Sequence, residues 1–311
     1  MSAVPGAPPR TSSAARPEPA ADRAEPSVGC GLWWLTFLLV ALGVACRLVR
    51  YFLRFPIWGD EAFVCNNFLE RDYLGLTRVL EYGQVVPVLF LWLELTVVRL
   101  LGTSELAVRL VPLLAGVLSL GLFWRLARST VGPWAAVVAV GMLACARWPV
   151  SMSTFVKPYS FDLLMSLVLL VPAAEWLRRP DRLRWPLLSA LVTPFAVLAS
   201  YPAVFVAGAV SLALLPTAWR SGRRGRSLFV VQNLLMAAAF LGSYWVVGRE
   251  QLDPVAGVVR SYLRDYWADA FPPSSPWPLA KWLVLTHTGQ MMAYPAGASS
   301  GGSTVTFLLF L

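Results

Sequence analysis

Charge is what this sequence has least of. Only 14% of its 311 residues are Asp, Glu, Lys or Arg, where a soluble domain carries roughly 25%. That shortage argues against a soluble domain. Histidine occurs once, and the four cysteines, Cys30, Cys46, Cys65 and Cys145, form no close CxxC pair. A His/Cys metal site and a disulfide framework are both disfavoured on those grounds. Phosphate loops, nucleotide-binding glycine motifs and nucleophile elbows are lacking too, so nothing suggests a soluble nucleotide-sugar site.

What is present is apolar surface. Hydrophobic residues make up 57% of the chain, with 14 Trp and a mean hydropathy of +0.62. This is the composition of an all-α polytopic membrane protein. The net charge of +9 does not indicate a nucleic-acid partner. The arginines gather in short stretches between apolar segments, which is the pattern of membrane topology.

Residues 1–27 are rich in Pro, Ala, Ser and Arg and cannot bury a core, so a disordered cytosolic tail is expected. The uncharged run that follows predicts a first span over 28–49, an uncleaved signal anchor. Arg47, Arg50 and Arg54 are expected to snorkel from its end to the headgroups. Further spans are predicted over 106–127, 134–155, 158–177 and 228–247. Residues 185–219 run 35 without a charge, about 52 Å as one helix. That is too long for one pass, and Ser200-Tyr201-Pro202 offers a break, so spans 186–200 and 203–219 are predicted. A last, incomplete span covers 304–311, and the chain ends inside it, which suggests a truncated protein.

Parity then sets the topology. The arginines near 125–128, 178–184 and 220–226 fall on the cytosolic side if 85–101 does not cross but lies on or dips into the membrane. The external loops are then 50–105, with short amphipathic helices over 60–73 and 74–82, and 248–303. The protein is expected in the cytoplasmic (plasma) membrane as a multi-pass protein, N-terminus in the cytosol.

Asp60-Glu61 is the leading chemical candidate. Asp60 can simply cap a helix beginning at Glu61, or it can be a carboxylate base at the membrane surface. Lys157 sits at the start of the 158–177 span, suited to a lipid phosphate, with Tyr159 and Asp162 on one helical face. Each of these also has a plain reading, a snorkelling lysine and a structural ion pair. Gln84 can bind sugar or phosphate, or be an ordinary interface residue. Glu94 lies in an apolar run and needs a partner, and Arg99 is poorly placed to be one. Ser104 can cap a helix, with Glu105 and Arg109 as an i, i+4 ion pair. The long loop interleaves Arg260, Arg264, Asp265, Asp269 and His287 with aromatics, a weak signal for sugar stacking or headgroup contact.

Four pieces in order, Trp58-Gly59-Asp60-Glu61-Ala62, GQVVPVLFLWLE at 83–94, LLGTSELAVRLVPLLAGVLSL at 100–120 and Lys157-Pro158-Tyr159-Ser160 with Asp162, carry a family resemblance. The chain resembles the GT-C membrane glycosyltransferases, family 39 and its bacterial relatives, the protein O-mannosyltransferases and aminoarabinose transferases. The resemblance implies a GT-C-type helical bundle. It also implies an inverting glycosyltransferase that moves a sugar from a polyprenyl-phosphate donor to an acceptor hydroxyl of a protein, lipid or glycan on the external face. Asp60 would be the base, with Glu61 supporting it. Lys157, with Tyr159, Asp162, Gln84 and an external-loop arginine such as Arg260 or Arg264, would hold the donor. No cofactor is required, and a divalent metal is compatible. Phe63-Val64 replace the Arg-Tyr of aminoarabinose transferases, and Phe155 stands where an acid is expected, so the sugar stays open. The competing readings are a transporter or lipid-handling membrane protein without transferase chemistry, and an inactive truncated relative.

Overall fold

The computed structural model describes residues 30–57, 59–252 and 272–285. Residues 1–27, expected as a disordered tail, the expected incomplete span at 304–311, His287, and the two donor-site candidates Arg260 and Arg264 lie outside the described residues.

The described secondary structure is helical throughout. Helix α1 (Cys30–Phe52) leads, followed by α2 (Asp60–Glu70) and α3 (Val88–Leu101). A single-turn α4 (Glu105–Val108) runs almost directly into α5 (Leu110–Thr130). Then come α6 (Pro133–Cys145), α7 (Arg147–Met152), α8 (Tyr159–Arg178), α9 (Arg184–Ala199), α10 (Ala203–Arg220) and α11 (Gly222–Ser243). A π-helical turn (Tyr244–Gly248) extends α11, and a short helix (Pro276–Leu285) is described further on. Five helical segments are long and apolar enough to cross a membrane: Cys30–Phe52, Glu105–Thr130, Tyr159–Arg178, Ala203–Arg220 and Gly222–Gly248. Two shorter apolar helices, Pro133–Cys145 and Arg184–Ala199, complete the set. The protein is an all-α polytopic membrane protein.

Helices α5 and α8 pack side by side at the centre, with α1 and α6 on one flank and α9, α10 and α11 on the other. Helix α1 shows why it sits where it does. Its buried residues Thr36, Gly43, Arg47 and Tyr51 fall on one stripe, while Trp34, Leu38, Leu42 and Val49 stay exposed. Lipid tails are as apolar as leucine, so close approach of small residues replaces hydrophobic drive between spans. A Cβ on Gly43 would stand 2.8 Å from that of Ala144.

Three expectations need correction. The single span over 134–155 is interrupted at Ala146, which is extended. A helix running through would press the Pro149 ring against the Cys145 carbonyl, so the chain restarts instead. Arg47 does not snorkel. It is buried and donates to the carbonyls of Gly43, Ala144 and Leu143 at 3.0–3.1 Å, capping the end that the break leaves on α6. The helix expected over 74–82 is two 3₁₀ turns, Gly75–Thr77 and Glu81–Gly83. There Asp72 accepts from the Gly75 N–H, and Arg71 takes the Gly75 and Val79 carbonyls, using up groups a longer helix would need.

Helix α3 has 14 residues, about 21 Å, against roughly 30 Å of hydrocarbon. It and α2 are fixed to the bundle by a shared core. Val64, Phe68, Phe90, Leu91 and Leu95 meet Val111 of α5 and Phe161 and Leu164 of α8. Each such side chain, where it leaves water, contributes about 1.5–3 kcal/mol. Glu94 is buried among them with neither carboxyl oxygen hydrogen-bonded, and Arg99 lies over the Tyr73 ring instead. The charged end of the bundle therefore rests on a firm apolar base.

A candidate active site at one end of the bundle

The chain reaches this site through a tight corner. Gly59 has φ 55°, a left-handed conformation that glycine adopts without strain, and it turns the chain into α2. Asp60 is the first residue of that helix and Gly59 holds the cap position, so the capping reading is set aside. Its side chain is 65% exposed and its Oδ2 lies 3.8 Å from Lys157 Nζ.

Glu61, one residue on, points the other way. It is 3% exposed. Its Oε1 accepts the Val156 N–H at 2.9 Å and lies 3.7 Å from the Arg109 guanidinium. Burial pushes its carboxyl above the ordinary range, opposed by the Val156 N–H and the charges of Arg109, Arg50 and Lys157.

Lys157 sits in a tight turn, its N–H donating to the Phe155 carbonyl at 2.7 Å. Its Nζ donates to Gln84 Oε1 at 2.5 Å. Burial lowers the lysine pKa, and the carboxylates of Asp60 and Glu61 oppose that. Gln84 is delivered by two consecutive left-handed residues, Tyr82 (φ 56°) and Gly83 (φ 63°). Strain at a non-glycine residue persists only when surroundings hold it, and here Tyr82 stacks on Phe63 with centroids 4.6 Å apart.

The fold thus brings Asp60, Glu61, Gln84 and Lys157 together from three distant parts of the chain. Tyr159 stands beside them, 49% exposed and stacked on Phe155. Asp162 turns away and accepts a hydrogen bond from Ser200, at the break between α9 and α10. That break is itself tied in, because Tyr201 and the buried Gln251 both contact the backbone of Val86, two residues after Gln84.

Two arginines were not legible as site residues. Arg109 looked like the partner of Glu105, but its guanidinium reaches Glu61. Arg50 looked like a headgroup anchor, but it donates to Thr154 at 3.0 Å and lies over Phe55. Arg50, Arg109 and Glu61 line a cavity of about 510 Å³, walled by Pro56, Trp148 and Phe155. The signal for Arg109 was its place in the run 100–120; the local i, i+4 partner hid it.

A helical membrane bundle with an exposed carboxylate beside a largely buried lysine at one end defines an integral membrane protein with a polar site near its surface. A family model described as dolichyl-phosphate-mannose-protein mannosyltransferase matches residues 85–258, and the chain belongs to that family. It is accordingly a membrane glycosyltransferase of the GT-C type. The match takes in Arg109, Lys157, Tyr159 and Asp162, while Asp60, Glu61 and Gln84 precede it. No curated protein and no solved structure matches the chain significantly.

Proposed function

We propose that the protein is an inverting transferase that moves a sugar from a polyprenyl-phosphate donor to an acceptor hydroxyl at the external membrane surface. The observation that carries this reading is the exposed Asp60 carboxylate 3.8 Å from the Lys157 ammonium, with Glu61 buried behind it. Asp60 takes the acceptor proton as the acceptor oxygen attacks the anomeric carbon. The bond from that carbon to the phosphate oxygen breaks, and its electron pair leaves with the polyprenyl phosphate. Lys157 neutralises the charge that develops there. Gln84 orients the lysine, and the cavity beside Arg50 and Arg109 gives the donor headgroup a cationic wall. Glu61 holds Arg109 and the Val156 N–H, which fixes the turn carrying Lys157. Arg260 and Arg264 remain candidates for the same phosphate.

The external placement rests on the arginine-rich loops at the other end and on α3, which carries Glu94 and Arg99 within 14 residues and, unlike the similarly short α6, is not among the shorter apolar helices. It is tested by cysteine labelling at Thr103 and Arg223 in a cysteine-free background. Impermeant reagent should reach the first from outside and the second only after lysis; labelling of both from one side overturns the topology. The chemistry is tested with radiolabelled polyprenyl-phosphate sugars in membranes, comparing the protein with Asp60→Asn. Transfer by the unaltered protein is expected, and equal transfer by the variant removes Asp60 as the base.

A further inference from the structure

We propose that the opposite end of the bundle carries a binding site for the phosphate headgroup of an anionic membrane lipid. A cavity of about 450 Å³ opens there, between the start of α1, the end of α5, the start of α6 and the end of α8. The acid–lysine cluster lies at the other end, with Lys157 just before the start of α8 and Asp60 and Glu61 on α2. Along α8, Tyr159 and Arg178 are separated by about 28 Å of helix, close to the thickness of the hydrocarbon layer. The two sites therefore face opposite membrane surfaces.

The lining of this cavity suits a phosphate. Arg125, Arg128, Arg178 and Arg179 all contribute, against the single carboxylate of Glu175. Glu175 is buried and draws two of them inward, Arg125 at 3.2 Å and Arg179 at 3.8 Å. It thereby orients guanidiniums without cancelling the positive excess. Planar guanidiniums recognise phosphate oxygens through paired N–H donors.

The flank of the cavity points to a lipid rather than free phosphate. Trp33, packed 6.0 Å from Trp124, forms part of the wall. Trp33 belongs to the exposed apolar surface of α1, with Trp34, Phe37 and Leu38 next to it. Tryptophan at this level marks the headgroup zone, so a headgroup in the cavity leaves its acyl chains against α1. Arginines placed only to set topology need no such enclosure. Arg223 and Arg224, in the basic first turn of α11, line neither of the two cavities and provide the control.

The experiment uses the full chain purified in detergent, equilibrated with equimolar phosphatidylglycerol and phosphatidylcholine, and read by native mass spectrometry. Retention of phosphatidylglycerol over phosphatidylcholine by about tenfold is expected, in line with a few arginines near one anionic headgroup. Arg128→Gln with Arg178→Gln should bring the ratio close to one, and Arg128→Glu alone, at an exposed position, should lower it. Arg223→Gln with Arg224→Gln should leave it unchanged. A ratio near one for the unaltered protein overturns the proposal, as does an equal loss in the control pair. Displacement of the retained lipid by inorganic phosphate overturns the lipid assignment.

Discussion

At one end of the bundle Glu61 meets Arg109 with both side chains at 3–4% exposure. At the other, Glu175 meets Arg125 and Arg179, whose side chains are 51% and 35% exposed. Both are carboxylate–guanidinium clusters between packed helices, and water is what separates them. Where it is shut out, each charge depends on its partner and the geometry is fixed. Where it enters, each arginine is partly solvated and presents N–H donors that a second anion can reach. The first arrangement suits positioning of a reactive neighbour and the second suits reversible binding.

The largest expected effect comes from the one acid that escapes this enclosure. Asp60→Asn should lower sugar transfer by about 10²–10⁴-fold, the usual worth of a general base. Its thermal unfolding midpoint should move much less than that of Glu61→Ala, because the side chain faces solvent and the buried Lys157 keeps its contact with Gln84. A large loss of both activity and stability would make Asp60 a structural residue and erase its contrast with Glu61.

Glu61→Ala should do the reverse, in stability first. Removing one partner of a buried pair leaves Arg109 uncompensated and the Val156 N–H without its acceptor, at a cost of about 3–5 kcal/mol. The folded carboxyl titrates above its ordinary range, so the unfolded chain gives up that proton first. Stability carried by this group is therefore full below the ordinary glutamate pKa and falls as pH rises through the raised folded value. In Glu61→Gln that decline should vanish, and unfolding midpoints across acid to neutral pH would register it.

Lys157 offers a kinetic test of the same enclosure. Burial lowers its pKa, so its positive charge is lost at lower pH than for a free lysine. Transfer should fall on the alkaline side as that charge goes. Lys157→Arg keeps its charge and should carry activity to higher pH, though with a lower maximum, because a planar fork cannot reproduce the ammonium contact with Gln84. Coincident alkaline limbs for the two proteins would dissociate Lys157 from the reaction.

These contrasts also explain what the sequence could yield. Long apolar runs and loop arginines are local, so the spans and the end of α9 before Tyr201-Pro202 can be read directly. The interruption at Ala146 follows from Pro149 but is masked by apolar neighbours on both sides. Asp60, Glu61, Gln84 and Lys157 stand out as polar residues in ordered motifs. Their mutual geometry does not, since Gln84 and Lys157 are 73 residues apart and Glu61 and Val156 are 95. Arg109 is the instructive miss. A glutamate four residues earlier satisfies a helical rule, and only the packing of α2 against the bundle supplies the deeper partner.

The smallest effect should come from breaking the solvated cluster. Glu175→Gln removes a carboxylate that is buried, as Glu61 is, but its two arginines reach water. Arg125 also keeps its place over the Trp185 ring, and the new amide can still accept from it. Neither cation is stranded, so the cost should be about 1 kcal/mol or less, in the range of exposed pairs. Transfer should be unchanged, because the substitution lies at the far end of α8. The comparison fails if Glu175→Gln costs as much as Glu61→Ala, since solvent access to the arginines would then not be what distinguishes the two ends.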